Sequence, residues 1–155
     1  MNEKVLREQL IAQLEGGQAY LAVKKIFDGF PIEHAGVLID SIRHTPWELL
    51  EHLRIAQWDI LEFTIDPNHV TPPWPEEHWP KKPAPESNDE WDSSVNVFLS
   101  ELERVKKLAT DPETPLFEEI PHGSGQTYLR EILLVADHNA HHLGQLLMLR
   151  RALEA

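Results

Sequence analysis

The chain has no cysteine. That removes disulfides, thiolate zinc sites, iron–sulfur clusters and cysteine nucleophiles together, so any metal must be held by nitrogen or oxygen. It has no apolar run near the roughly 18 residues that a membrane span needs. It is also short of positive charge, with 14 Lys and Arg against 26 Asp and Glu, a net charge of −12. Nucleic-acid phosphates and anionic lipid headgroups need a basic surface, so neither nucleic acid nor membrane is expected as a partner. The opening stretch MNEKVLREQL lacks the apolar core of a signal peptide, and a cytoplasmic location is expected. Internal repeats and low-complexity tracts are missing. So are alternating β-branched runs bounded by turns, which removes the usual signal for strands.

What is present is a chain of 155 residues, 41% hydrophobic and 26% charged. Length and composition predict one globular domain over 1–155, with about two thirds of the unfolded surface buried on folding. Helical periodicity is strong in four places. The first runs from about Glu3 to Phe27, with Leu6, Leu10, Ile11 and Leu14 on one face. The pair Gly16-Gly17 should kink or break it, and Gly29 and Pro31 should end it. A short helical piece is expected around Glu33 to Ile42. The second helix opens at Thr45-Pro46-Trp47-Glu48, an N-cap, a first-turn proline and the glutamate of a capping box, and should stop near Thr64. The third follows a similar box at Ser87-Asn88-Asp89-Glu90 and carries the stripe Trp91, Val95, Phe98, Leu102 and Val105. The fourth runs from about Thr127 to Leu153. Four amphipathic helices without strands predict an all-α four-helix bundle.

Two irregular connections separate these helices. Residues 66–87 contain Pro67, Pro72, Pro73, Pro75, Pro80, Pro83 and Pro85, which block helix and ladder alike. The same stretch carries Trp74 and Trp79, so it should pack across the domain body rather than stay solvated. Those indoles would anchor the loop or wall a pocket mouth. Trp58 is off the inward face of its helix and should cover the loop or meet a partner subunit. The second connection runs from Asp111 to Gly125.

The histidines, nine in all, carry the candidate chemistry. His138 and His142 are one helical turn apart, so both rings lie on one face and can converge on one ion. Stepping along that face gives Leu134, Val135, His138, His142, Leu146 and Leu149, so the histidines interrupt a core stripe. Two imidazoles are one ligand short of a stable transition-metal site. The inward face of the second helix holds Leu49, His52, Ala56, Ile60 and Phe63, where a histidine again replaces an apolar residue. A buried imidazole costs a few kcal/mol unless it has a partner, and a metal would supply one. For the pair His138 and His142, ordinary hydrogen bonds are the plainer account. Asp59, two turns beyond His52, would orient a histidine or act as a base on metal-bound water, or would be an ordinary exposed charge. Glu48 belongs to the capping box, and Glu131 and Gln145 are candidates to support the histidines or line a pocket. His34, His44, His69, His78 and His122 fall in turn-like or flanking segments and read as loop residues.

The strings ELLEHLRIAQWDI, PPWPEEHWP and DHNAHHLGQLLMLRR resemble the DinB/YfiT-like superfamily over nearly the whole chain. The most specific piece is HNAHHLGQ, a histidine, three residues, then His-x-Gly-Gln. Carried over residue by residue, the resemblance implies His52, His138 and His142 as ligands of a divalent metal, nickel or zinc. It implies a small-molecule substrate, with members that transfer low-molecular-weight thiols such as bacillithiol or mycothiol to electrophiles and others that resemble metal-dependent hydrolases. It also implies that homodimers are common. His141 stands where relatives often have an aromatic residue, and would either crowd the site or point outward. Thiol transferase, hydrolase and non-catalytic helical module with a structural metal or none therefore stay open, with Asp59 the tentative catalytic residue.

Overall fold

The computed structural model describes residues 3–40 and 42–155. Its helices are α1 (Glu3–Glu15), α2 (Val23–Phe27), α3 (Pro46–Ile65), α4 (Asn88–Thr110) and α5 (Tyr128–Leu153). Among the described residues there is no strand, only an isolated bridge between Glu119 and Thr127 in the second connection. The four long helices form the bundle, with α3 packed on both α4 and α5, and α1 on both from the other side. The fold is the expected all-α bundle.

Boundaries follow the local chemistry. The α1–α2 break falls where Gly16 and Gly17 take φ of 67° and 82°, a left-handed conformation that closes α1 and that side chains with a Cβ resist. Arg150 on α5 then ties off α2, donating to the carbonyls of Ile26 at 2.9 Å and Asp28 at 2.8 Å. At the start of α3 the capping box is complete. Thr45 Oγ1 accepts from the Glu48 N–H at 3.2 Å, and the Glu48 carboxylate accepts from the Thr45 N–H at 2.8 Å. The same Thr45 hydroxyl donates to the carbonyl of Pro83 at 2.7 Å, so one side chain caps a helix and pins the proline-rich loop.

Two local expectations are corrected. Of the helical piece around Glu33 to Ile42, only a 3₁₀ turn forms at Ile32–His34, and Ser41 lies outside the described residues. The Ala35 carbonyl is drawn off to the N–H of Trp47 at 2.8 Å instead of continuing a helix. Beside it, Gly36 faces Ala84 so closely that a Cβ on it would sit 2.5 Å from the alanine methyl. The box at Ser87 is half made. Ser87 Oγ accepts from the Glu90 N–H at 3.2 Å, but the Glu90 carboxylate reaches past Ser87 to the N–H of Glu86 and to Lys82. The ammonium of Lys82 draws the carboxylate toward the loop, away from the cap.

The core is continuous through the bundle. Leu50, Leu53, Phe98, Leu143, Leu146 and Leu149 are fully buried, and Trp91 stacks on Phe30 with ring centroids 4.6 Å apart. A polar thread crosses it: Asn139 Nδ2 donates to Gln57 Oε1, and Gln57 Nε2 donates to the Phe98 carbonyl, each at 2.8 Å. This ties α5, α3 and α4 at one level of the bundle.

Thr45→Ala removes a cap and the loop tie together. It should cost about 1–2 kcal/mol in urea unfolding, at the upper end for an N-cap, while Thr45→Ser should recover most of the loss. An unchanged midpoint for the alanine variant would contradict the double role.

Candidate metal centre

His52, His138 and His142 come together. One ring nitrogen from each lies within 4.8 Å of the others. His52 descends from α3, while α5 supplies the other two from successive turns, as the one-turn spacing requires. His52 is buried at 1% exposure, and His138 and His142 are half-buried. Among the described residues no carboxylate and no further histidine joins the group.

The second nitrogen of each ring decides what the first can do. His52 Nδ1–H donates to the backbone carbonyl of His78 at 2.7 Å. His142 Nδ1–H donates to Gln145 Oε1 at 2.7 Å. With Nδ1 protonated in both neutral rings, both Nε2 lone pairs are left for an ion. His138 Nε2 lies 3.0 Å from His52 Nε2, so the two ring nitrogens face one small space. His138 Nδ1 is buried without a partner, as is Oδ1 of the adjacent Asn139. A neutral His138 that offers Nε2 as a ligand would carry its proton on Nδ1.

Burial also sets the charge state. It pushes His52 from the ordinary histidine value to about 4, countered in part by the His78 carbonyl, with the neighbouring histidines lowering it further. Burial pushes His138 to about 3, with His142 and His52 adding to the effect. Burial lowers His142 as well. All three are neutral near pH 7 and present lone pairs without first losing a proton, which is what a divalent transition ion requires of imidazole ligands. The donor set therefore fits such an ion.

The loop of residues 66–87 packs over this cluster, as its tryptophans lead one to expect. Trp79 lies face to face on His52, 3.8 Å between centroids and 3° between planes, and also stacks with His44 at 4.0 Å. Trp74 is 66% exposed at the rim, 6.1 Å from the His52 ring. Trp58 meets the loop edge-on through His69 at 5.1 Å. Asp59 is a buried carboxylate that accepts from His69 Nε2 at 2.7 Å and His78 Nε2 at 3.2 Å. Glu48 stays in its capping box, and Glu131 is buried beside Arg130. His141 is exposed and points outward.

Sequence reasoning missed the loop side of the site. His69 and His78 read as turn histidines, yet both are on Asp59, and residue 78 also supplies the acceptor for His52. Periodicity has no hold on a proline-rich segment. The available signal was weaker: a histidine beside a tryptophan between two prolines, which a solvated linker has no need of.

The family model described as the DinB superfamily matches residues 7–146, most of the chain and both histidine-bearing helices. The chain belongs to the DinB superfamily. No curated protein and no solved structure matches it. Family membership and the histidine cluster together fit a protein that binds a divalent metal.

Between their folded values and about 6.5, the unfolded chain protonates His52 and His138 while the folded chain does not. The metal-free protein should therefore lose stability as pH falls from about 6.5 toward 4, by up to about 1.4 kcal/mol per pH unit per histidine. Urea midpoints in the presence of a chelator check this, and His138→Gln should flatten the slope. A wild-type curve flat between pH 7 and 5 would contradict burial of neutral imidazoles.

Proposed function

We propose that this chain is a divalent-metal-dependent enzyme whose ion is held by His52, His138 and His142. The observation that carries this reading is the convergence of three neutral imidazoles, two with Nδ1 already hydrogen-bonded. Three protein ligands leave a position for water or substrate, whereas a structural zinc site is normally closed by four. His138 and His142 are half-buried, which supports access to the cluster from solvent on their side.

When bound, the ion would act as a Lewis acid and lower the pKa of a thiol or water on the open position. The chain's own part is to hold the imidazoles neutral and aimed. His78 and Gln145 fix two of the rings through their Nδ1 protons. Trp79 covers one face of His52 and keeps water from that side, while Trp74 offers an exposed apolar edge to a small substrate.

Within this reading we favour transfer of a low-molecular-weight thiol to an electrophilic carbon over hydrolysis. A hydrolase needs a base for the attacking water, and Asp59 is the candidate the sequence offers. Both of its oxygens already accept from imidazoles of the loop. Thiol transfer would make no call on Asp59, since a bound ion would lower the pKa of the thiol as it would that of water. Imidazole ligands suit zinc and nickel alike, and thiolate suits both, so either ion serves.

Metal analysis of untagged protein by mass spectrometry should find about one zinc or nickel per chain. His142→Ala should lose it while keeping its helical content. The loaded protein should then consume thiol in an assay with bacillithiol, mycothiol or glutathione and an activated electrophile. No bound ion after soaking with zinc and nickel would leave a helical binding module as the better account.

A further inference from the structure

Residue 78 faces two ways. Its ring Nε2–H is on the Asp59 carboxylate at 3.2 Å, and its backbone carbonyl takes the Nδ1 proton of His52 at 2.7 Å. Asp59 holds a second loop imidazole, His69, at 2.7 Å. The segment between those two histidines has only local turn bonds of its own, Pro73 to Glu77 and Pro75 to His78. A carbonyl in such a segment is not placed by any ladder. It is placed by what ties the segment down.

Asp59 is that tie. It is two turns along α3 from His52, so a rigid helix sets the distance between the carboxylate and the ring. Its side chain is 12% exposed, and those of His69 and His78 are 8% and 5%. An unpaired carboxylate at that depth would be costly, and two imidazole N–H groups offset the cost. The same contacts bring Trp79, the next residue, onto the face of His52.

We propose that Asp59 is a positioning residue for His52: by gripping His69 and His78 it sets the residue 78 carbonyl on Nδ1, which fixes the tautomer and the aim of Nε2. The proposal rests on the metal-site reading only for its consequence, which is metal affinity. The alignment of His52 is a property of the metal-free chain and is tested separately. It also accounts for a buried carboxylate that shares a helix with a ligand yet is not among the converging donors.

The test uses the full chain with Asp59→Asn and His78→Phe. The first replaces one acceptor oxygen with a donor amide, and the second keeps the backbone carbonyl but cuts its link to Asp59. Zinc affinity is read by competition with a chromophoric chelator, and the His52 tautomer by ¹⁵N NMR of metal-free protein. Both variants should bind zinc at least about tenfold more weakly, the range in which partners of metal-ligating histidines act. The double variant should be no worse than the weaker single by more than about twofold, because both cut one connection. Both should lose the hydrogen-bonded Nδ1–H of His52 seen in wild type. Leu102→Ala, a core change on α4, should lower stability and leave affinity and tautomer alone, which separates positioning from general destabilisation. Zinc affinity within about twofold of wild type, with Nδ1–H retained, would overturn the proposal. If wild type itself takes no zinc, the metal reading fails and the NMR result alone decides: retention of Nδ1–H in both variants overturns positioning, and its loss upholds it. Should Asp59→Asn not fold, His78→Phe carries the same two outcomes.

Discussion

One hydrogen bond joins the proline-rich loop to the middle of the histidine cluster. The Nδ1 proton of His52, in the middle of α3, goes to the carbonyl of residue 78, in a loop that has no secondary structure. An imidazole at 1% exposure must satisfy its N–H inside the protein. Because the proton is committed on that side, the lone pair is committed to the other, toward α5. The loop, the second helix of the sequence motif and the histidine pair of α5 are thus arranged around the two ends of one five-membered ring.

The bundle supplies the stiffness that this arrangement needs. Helix α3 is packed on both α4 and α5, and the thread of Gln57 and Asn139 crosses from α5 through α3 to the Phe98 carbonyl of α4. Asn139 is the next residue after His138, so the thread also fixes α5 beside its first ligand. Around the loop, short-range devices replace regular structure. Thr45 holds Pro83, Lys82 holds Glu90, and Gly36 admits Ala84 at a distance that no side chain would permit. Each is a local contact, and together they lay the loop on the bundle.

Much of this was legible in the sequence because helices announce themselves. The complete capping box at Thr45, the glycine pair after Glu15 and the Trp91 stripe located their elements closely, since caps and periodicity are rules about neighbours in the chain. The face on which His138 and His142 sit followed from the same geometry, and the structure gathers those two with His52. What failed to show was tertiary. The piece after Glu33 is helical in pattern, but Trp47 takes the carbonyl it would need. Glu90 has the spacing of a box, but Lys82 stands closer to its carboxylate than the cap does. The pairing of Asp59 with His69 and His78 depends on where a proline-rich loop lands, and no periodicity encodes that.

The division of the three imidazoles between helices makes the cluster a gauge of helix register. His138 and His142 keep a fixed separation because one helix carries both, so the placement of α3 against α5, its slide included, decides whether His52 meets them. Ligand bonds tolerate departures of only about 0.2 Å, whereas a full turn of slippage between helices is about 5.4 Å. An occupant of the cluster would therefore act as a rivet across the α3–α5 seam. By mass action, whatever loosens that seam must weaken the occupant's hold to the same degree, and whatever fills the cluster must stiffen the seam.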